Sequence, residues 1–196
     1  GQRATWLSAT TSGEGDYIEV LLRMPTADGI AAPGDFILAA ERYGQIEAVD
    51  RYVVQELTRT LQRLATPCSA LIAFNISARN IVDSDFIDEV IETLRRQPLP
   101  LHQLCVELTE TAAIQQIDAA SMGMRKLADS GLKLVLDDFG SGWSSYQYLR
   151  RLPFDVVKVD GAFIRDITRS AQDHALASSI NEIAHLLGKR TVAEHV

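Results

Sequence analysis

One rhythm constrains this chain more than any other feature. Short apolar runs rich in β-branched residues alternate with stretches of helical spacing. The runs are "ATWLSATT" (4–11), "YIEVLLRM" (17–24), "ALIAFNIS" (70–77), "LCVELTET" (104–111), "LKLVLDDF" (132–139), "DVVKVD" (155–160) and "RTVAEHV" (190–196). Between them, Ile46, Val49, Val53, Leu57, Leu61 and Leu64 fall on one helical face, as do Phe86, Ile87, Val90, Ile91 and Leu94. A third face carries Leu176, Ile180, Ile183 and Leu187, with Gly188 after it as a C′ residue; Gly131 ends the helix before the fifth run in the same way. "TTSGEGD" (10–16) reads as a turn between the first two strands.

Strands alternating with helices imply an α/β protein whose parallel sheet is covered by helices. Seven strands exceed the needs of a small open sheet, and a (β/α)8 TIM-type barrel is one natural closure. Such barrels usually take about 250 residues and seldom fewer than about 200. With 196 residues and seven candidate strands, the expectation is a single domain over 1–196 whose last strand lies beyond Val196.

The polar residues in the apolar runs are Glu19, Asn75, Glu107, Asp137 with Asp138, Lys158 with Asp160, and Glu194. Most stand near the C-terminal end of their run, although Glu19 lies nearer its start. From Asn75 onward the intervals are 32, 30, 21 and 36 residues, close to a βα repeat. In a barrel those strand ends converge on one mouth, where active sites lie. So many carboxylates in one pocket require compensating cations. The donors are oxygens with no paired Cys or His, which suits Mg²⁺, Mn²⁺ or Ca²⁺ rather than structural zinc. Adjacent aspartates can let one carboxylate bridge two ions while its neighbour binds one. Two ions about 3.5–4 Å apart clamp a phosphoryl group and activate an attacking water.

Each residue also has a duller reading. A lone Glu in a strand more often faces solvent, an Asp-Asp-Phe-Gly run is more often a turn, and Lys158 taken alone reads as a snorkelling surface lysine. His102, His174, His185 and His195 are scattered and read as structural or exposed. The metal reading rests on joint recurrence at strand ends.

Composition narrows the partners. Twenty-six acidic residues against 19 basic ones give a net charge of −7, which argues against DNA or RNA polymers. Cys68 and Cys105 form neither a metal spacing nor a disulfide framework, and no apolar stretch approaches membrane-spanning length. A cytoplasmic setting is expected, including the cytoplasmic part of an anchored protein.

In register, "EVLLR" (19–23), "NIS" (75–77), "ELTET" (107–111), "DDFGSG" (137–142), "KVD" (158–160) and "AEHV" (193–196) resemble the motifs of EAL domains, bacterial cyclic di-GMP phosphodiesterases. "PGDFILAAERYG" (33–44) resembles the segment that follows the family's signature. The resemblance implies a (β/α)8 barrel with one antiparallel strand, and hydrolysis of cyclic di-GMP to linear pGpG with two Mg²⁺ or Mn²⁺ ions. By position, Glu19, Asn75, Glu107 and Asp137 match the ligands of one ion, and Asp137, Asp138 and Glu194 the surroundings of the other. Lys158 would hold the nucleophilic water, Glu194 would assist as a base, and Arg23 and Asp160 would face the substrate. Glu110 would anchor the "DFGSGWSS" loop, which in the family also contributes to dimerisation. A homodimer and fusion to sensor or GGDEF domains are implied as well.

Three positions depart from the family pattern: Val20 stands for Ala, Ser141 for Thr, and His195 for the Gly after Glu194. The competing functions are an EAL domain that binds cyclic di-GMP or a protein partner without turnover, and an enolase-like barrel using Lys158 as a base. Arg23 and the paired aspartates fit phosphate chemistry better than carbon-acid chemistry.

Overall fold

The computed structural model describes residues 5–10, 17–26, 29–31, 33–63, 69–115, 117–140 and 146–194. Leu64, most of the 10–16 turn, Ser141 with the loop through Ser145, and His195 lie outside these residues. The chain divides into two compact units, Gly1–Cys105 and Val106–Val196.

In the first unit, β1 (Thr5–Thr10) pairs antiparallel with β2 (Tyr17–Leu22), which pairs parallel with β5 (Leu71–Asn75). A hairpin absent from the sequence expectation, β3 (Met24–Thr26) with β4 (Gly29–Ala31), follows β2. The helices are α1 (Pro33–Arg42), α2 (Ile46–Leu61), α3 (Ala78–Ile81) and α4 (Ser84–Arg95). Pro33 opens α1, a position whose missing N–H has no intrahelical partner to lose. Asp83 caps α4, its Oδ1 accepting from the N–H groups of Asp85 and Phe86 at 2.9 and 3.1 Å. All five apolar residues expected on that helix are buried.

The expected face of α2 needs correcting. Its buried stripe is Ile46, Asp50, Val54, Leu57, Thr58 and Leu61; Val49 and Val53 lie at its margin. An acid stands where spacing alone favoured a valine, because donors await it there. Burial of each large side chain, such as Leu57, Phe74 or Phe86, contributes roughly 1.5–3 kcal/mol.

The second unit is built on β6 (Leu104–Thr109), β7 (Lys133–Phe139), β8 (Val156–Val159) and β9 (Arg190–Ala193), neighbours in that order. β8 runs parallel to both β7 and β9. Helices α5 (Glu110–Gln115), α6 (Ile117–Ser130), α7 (Tyr146–Arg151), α8 (Gly161–Ile164) and α9 (Ala171–Leu186) connect them. Glu110 and Thr111, read as strand from sequence, begin α5 instead. β6 and β8 are buried almost end to end, as strands covered on both faces must be.

α9 also turns a different face inward than its large residues suggest. Ala177, Ile180 and Ala184 are buried, whereas Leu176 is 49% exposed and Leu186 85%. Small residues let the helix approach the strands closely. Its end follows the expectation: Gly188 adopts φ +71°, Lys189 N–H bonds Ala184 O and Gly188 N–H bonds His185 O, both at 2.9 Å.

Candidate active site

The strand pairing of the second unit explains how two neighbouring aspartates serve one site. Leu136 pairs with Val157 and Phe139 with Val159, so Asp137 and Asp138 together face Lys158. This two-against-one count is a β-bulge. Asp138 carries it at φ 55°, a left-handed conformation that aspartate tolerates better than most residues. Its N–H donates to Asp137 Oδ1 at 3.0 Å.

Lys158 is 4% exposed, so the surface reading of it does not hold. Its ammonium lies 2.9 Å from Asp137 Oδ1, 2.9 Å from Glu194 Oε1 and 3.6 Å from Glu107 Oε1. Glu107 is fully buried in β6. Register places Glu194 there: Lys158 pairs with Val192, and Glu194 follows two residues on, with its N–H bonded to Val159 O at 3.4 Å. Burial pushes the Glu194 carboxyl up to about 7; Lys158 pulls it down and Asp137 pushes it up.

The charge balance tests whether a divalent cation fits. One ammonium faces three carboxylates, and a fourth, Asp138, stands beside Asp137. Oxygens of Asp137, Asp138 and Glu194 lie within 4.8 Å of one another. Excess negative charge, oxygen-only donors and a carboxyl held partly protonated by its surroundings are what a hard divalent ion would relieve. The residues present fit such an ion.

Glu110, 3% exposed, opens α5 and accepts the Gly140 N–H on Oε2 at 3.0 Å. Gly140 has φ +104°, and a Cβ there would stand 2.6 Å from Phe163 Cε2, so only glycine fits without rearrangement. Asp160 caps α8, its Oδ1 accepting the Ala162 N–H at 2.7 Å.

In the first unit, Glu19 pairs with Ala73, and Asn75 lies two residues further along β5. Strand alternation therefore sets Glu19 and Asn75 on one face of that pair. Arg23 follows β2 and donates from its guanidinium to Leu22 O at 2.9 Å. Of the histidines, His102, His174 and His185 are exposed.

Sequence reasoning missed two features, the bulge and Asp50. The bulge could have been suspected from the apolar parity, which runs Leu134, Leu136, then Phe139. Asp50 lies at i+4 from Ile46 and i−4 from Val54, a spacing that marks it as interior.

Parallel strands thus alternate with helices, and a carboxylate-lysine cluster stands near the strand ends. Residues 8–196 match the EAL domain family, and the chain belongs to it. It is 38% identical over 192 residues to the cyclic di-GMP phosphodiesterase NbdA of Pseudomonas aeruginosa, covering 96% of this chain and 24% of that protein. The chain spans about a quarter of the length of the curated relatives it matches. Among solved structures it resembles PaMucR phosphodiesterase in complex with c-di-GMP, with TM-score 0.84 and 31% identity, over 98% of this chain and 79% of that one. It also resembles BlrP1 of Klebsiella pneumoniae in a calcium and cy-diGMP complex, with TM-score 0.80 and 26% identity, over 92% and 45%. The TIM-barrel-type fold of EAL domains is thus the fold class of this chain. Among the described residues no helix is long and apolar enough to cross a membrane.

Proposed function

We propose that this chain hydrolyses one phosphodiester of cyclic di-GMP to linear pGpG, as a single EAL-type domain over 1–196 using two ions, Mg²⁺ or Mn²⁺. The observation that carries the proposal is the buried Lys158 ammonium among Asp137, Glu194 and Glu107, with Asp138 alongside. Bound divalent ions would supply Lewis-acid stabilisation of the phosphoryl oxygens and acidify an attacking water.

The chain's own residues divide the remaining work. Asp137, Asp138 and Glu194 would hold one ion, and Glu107, Glu19 and Asn75 would serve as further metal ligands. Supporting the last two are the family match and their shared face on β2 and β5. Lys158, fixed by its carboxylates, would donate a hydrogen bond to the nucleophilic water and keep it aligned. Glu194, whose carboxylate lies 2.9 Å from the Lys158 ammonium, would accept the proton that water loses. Arg23 would meet a phosphate with its guanidinium fork, and Asp160 would face the substrate with the oxygen not capping α8. Glu110 would set the loop beginning at Gly140. We further propose a cytoplasmic setting, a homodimer, and sensor or GGDEF domains joined to this segment.

The experiment is incubation with cyclic di-GMP and Mg²⁺ or Mn²⁺, followed by chromatography. Linear pGpG that disappears with a chelator is expected. Tight binding without cleavage under every metal would instead mark a receptor.

A further inference from the structure

Asp50 is a buried acid that the site described above does not use. It sits within α2 and is 4% exposed. Its Oδ2 accepts two hydrogen bonds, from the Ser77 N–H at 2.9 Å and from Asn80 Nδ2 at 2.7 Å. Burial pushes its carboxyl up, while those bonds pull it down. Desolvating an acid is costly unless hydrogen bonds compensate. Here one donor, Ser77, belongs to the turn that leaves β5, and the other, Asn80, to α3, which that turn starts.

That turn begins at Asn75, two residues before Ser77, with buried Ile76 between them. Ser77 O in turn accepts from Asn80 N–H and Ile81 N–H at 3.1 and 3.2 Å, starting α3. Ser77 could cap α3 with its own hydroxyl, yet makes no such bond. A carboxylate 27 residues earlier in the chain pins the turn instead. One oxygen atom thus restrains the backbone that sets the direction of the β5 terminus.

We propose that Asp50 is a positioning residue for Asn75: it clamps the β5–α3 turn so that the Asn75 amide is held ready for a divalent ion. The inference rests on the reading of Asn75 as a ligand. Residues that orient a ligand from behind commonly change metal affinity by about 10–100-fold when removed.

The test is Mn²⁺ titration of the metal-free protein, read by electron paramagnetic resonance of free Mn²⁺. The proteins are wild type, Asp50→Ala, Asp50→Asn, Asn75→Ala and Asp50→Ala/Asn75→Ala. Asp50→Ala should weaken Mn²⁺ binding about 10-fold or more. Asp50→Asn should retain wild-type affinity, since a single amide oxygen can replace Oδ2 for both donors. In the Asn75→Ala background, Asp50→Ala should have little further effect, because the two act as one unit. Unchanged affinity in Asp50→Ala, or additive losses in the double variant, overturns the inference. Wild-type protein that binds no Mn²⁺ overturns the ligand reading itself and the inference with it. Should Asp50→Ala fail to fold, Asn80→Ala removes one bond of the clamp; a smaller loss of affinity is expected, and none overturns the inference.

Discussion

Asp137 and Lys158 meet at 2.9 Å across a strand pair in which Lys158 faces two residues rather than one. The extra residue, Asp138, sits at φ 55°. Asp138→Asn should therefore keep the fold, since Asn also tolerates that conformation. It should weaken Mn²⁺ binding by about 10-fold while shifting the urea midpoint little. Asp138→Val should instead cost about 1–2 kcal/mol, because a β-branched residue resists positive φ. Equal stability of the two variants in urea would refute the backbone argument.

Lys158 holds buried carboxylates together, so removing it should be severe in the metal-free protein. Lys158→Met leaves Glu107 and Glu194 without their ammonium, and a loss of about 3–5 kcal/mol is expected. Mn²⁺ should recover a larger share of stability in this variant than in wild type. With Mg²⁺ present, Lys158→Ala should lower turnover more than substrate affinity. Thermal melts with and without Mn²⁺, and a kcat against KM comparison, check both statements.

Glu194 has a carboxyl raised from 4.5 to about 7 by burial. The folded state then holds its proton more tightly than the unfolded chain does. Its contribution to stability is complete below about 4.5, falls as pH rises toward about 7, and stays lost above that. Metal-free Glu194→Gln should lack this decline. Denaturation midpoints at pH 5 and pH 8 would show it; a wild-type difference no larger than the variant's would contradict the assignment.

Asp50 offers a contrast between two substitutions. Asp50→Ala leaves the Ser77 N–H and the Asn80 amide without their acceptor and should cost about 1–3 kcal/mol. Asp50→Asn keeps an acceptor and removes the burden of burying a charge, so its stability at pH 7 should equal or exceed wild type. Urea unfolding of both variants is sufficient.

Gly140 carries two constraints at once, φ +104° and the ring of Phe163. Gly140→Ala should destabilise by about 1–2 kcal/mol from backbone strain alone. Adding Phe163→Leu should return only the steric part, leaving the double variant below Phe163→Leu in thermal melts.

Much of this architecture could be read from residues alone, for identifiable reasons. The apolar faces of α4 and the runs that became β5 to β9 are dictated by period and length, which act locally. The site residues of the second unit were legible because strand ends place them, and Glu107, Asp137, Lys158 and Glu194 do meet. What escaped depended on partners distant in sequence. Asp50 is interior because Ser77 and Asn80 wait for it 27 and 30 residues later. The inward face of α9 uses Ala177 and Ala184, since close approach to strands favours small side chains over the larger Leu176 and Leu186. The bulge was hidden because a strict period of two assigns Asp138, not Phe139, to the position after Leu136.

The two-for-one count in β7 sets sheet regularity against acid content. Excising a single residue at 137–138 would restore an even ladder, relax the left-handed backbone of Asp138, and delete a carboxylate in the same event. A chain altered this way should fold more robustly and, on the proposed reading, lose hydrolysis. Within this architecture, one codon separates a ladder kinked around two acids from an even ladder holding one.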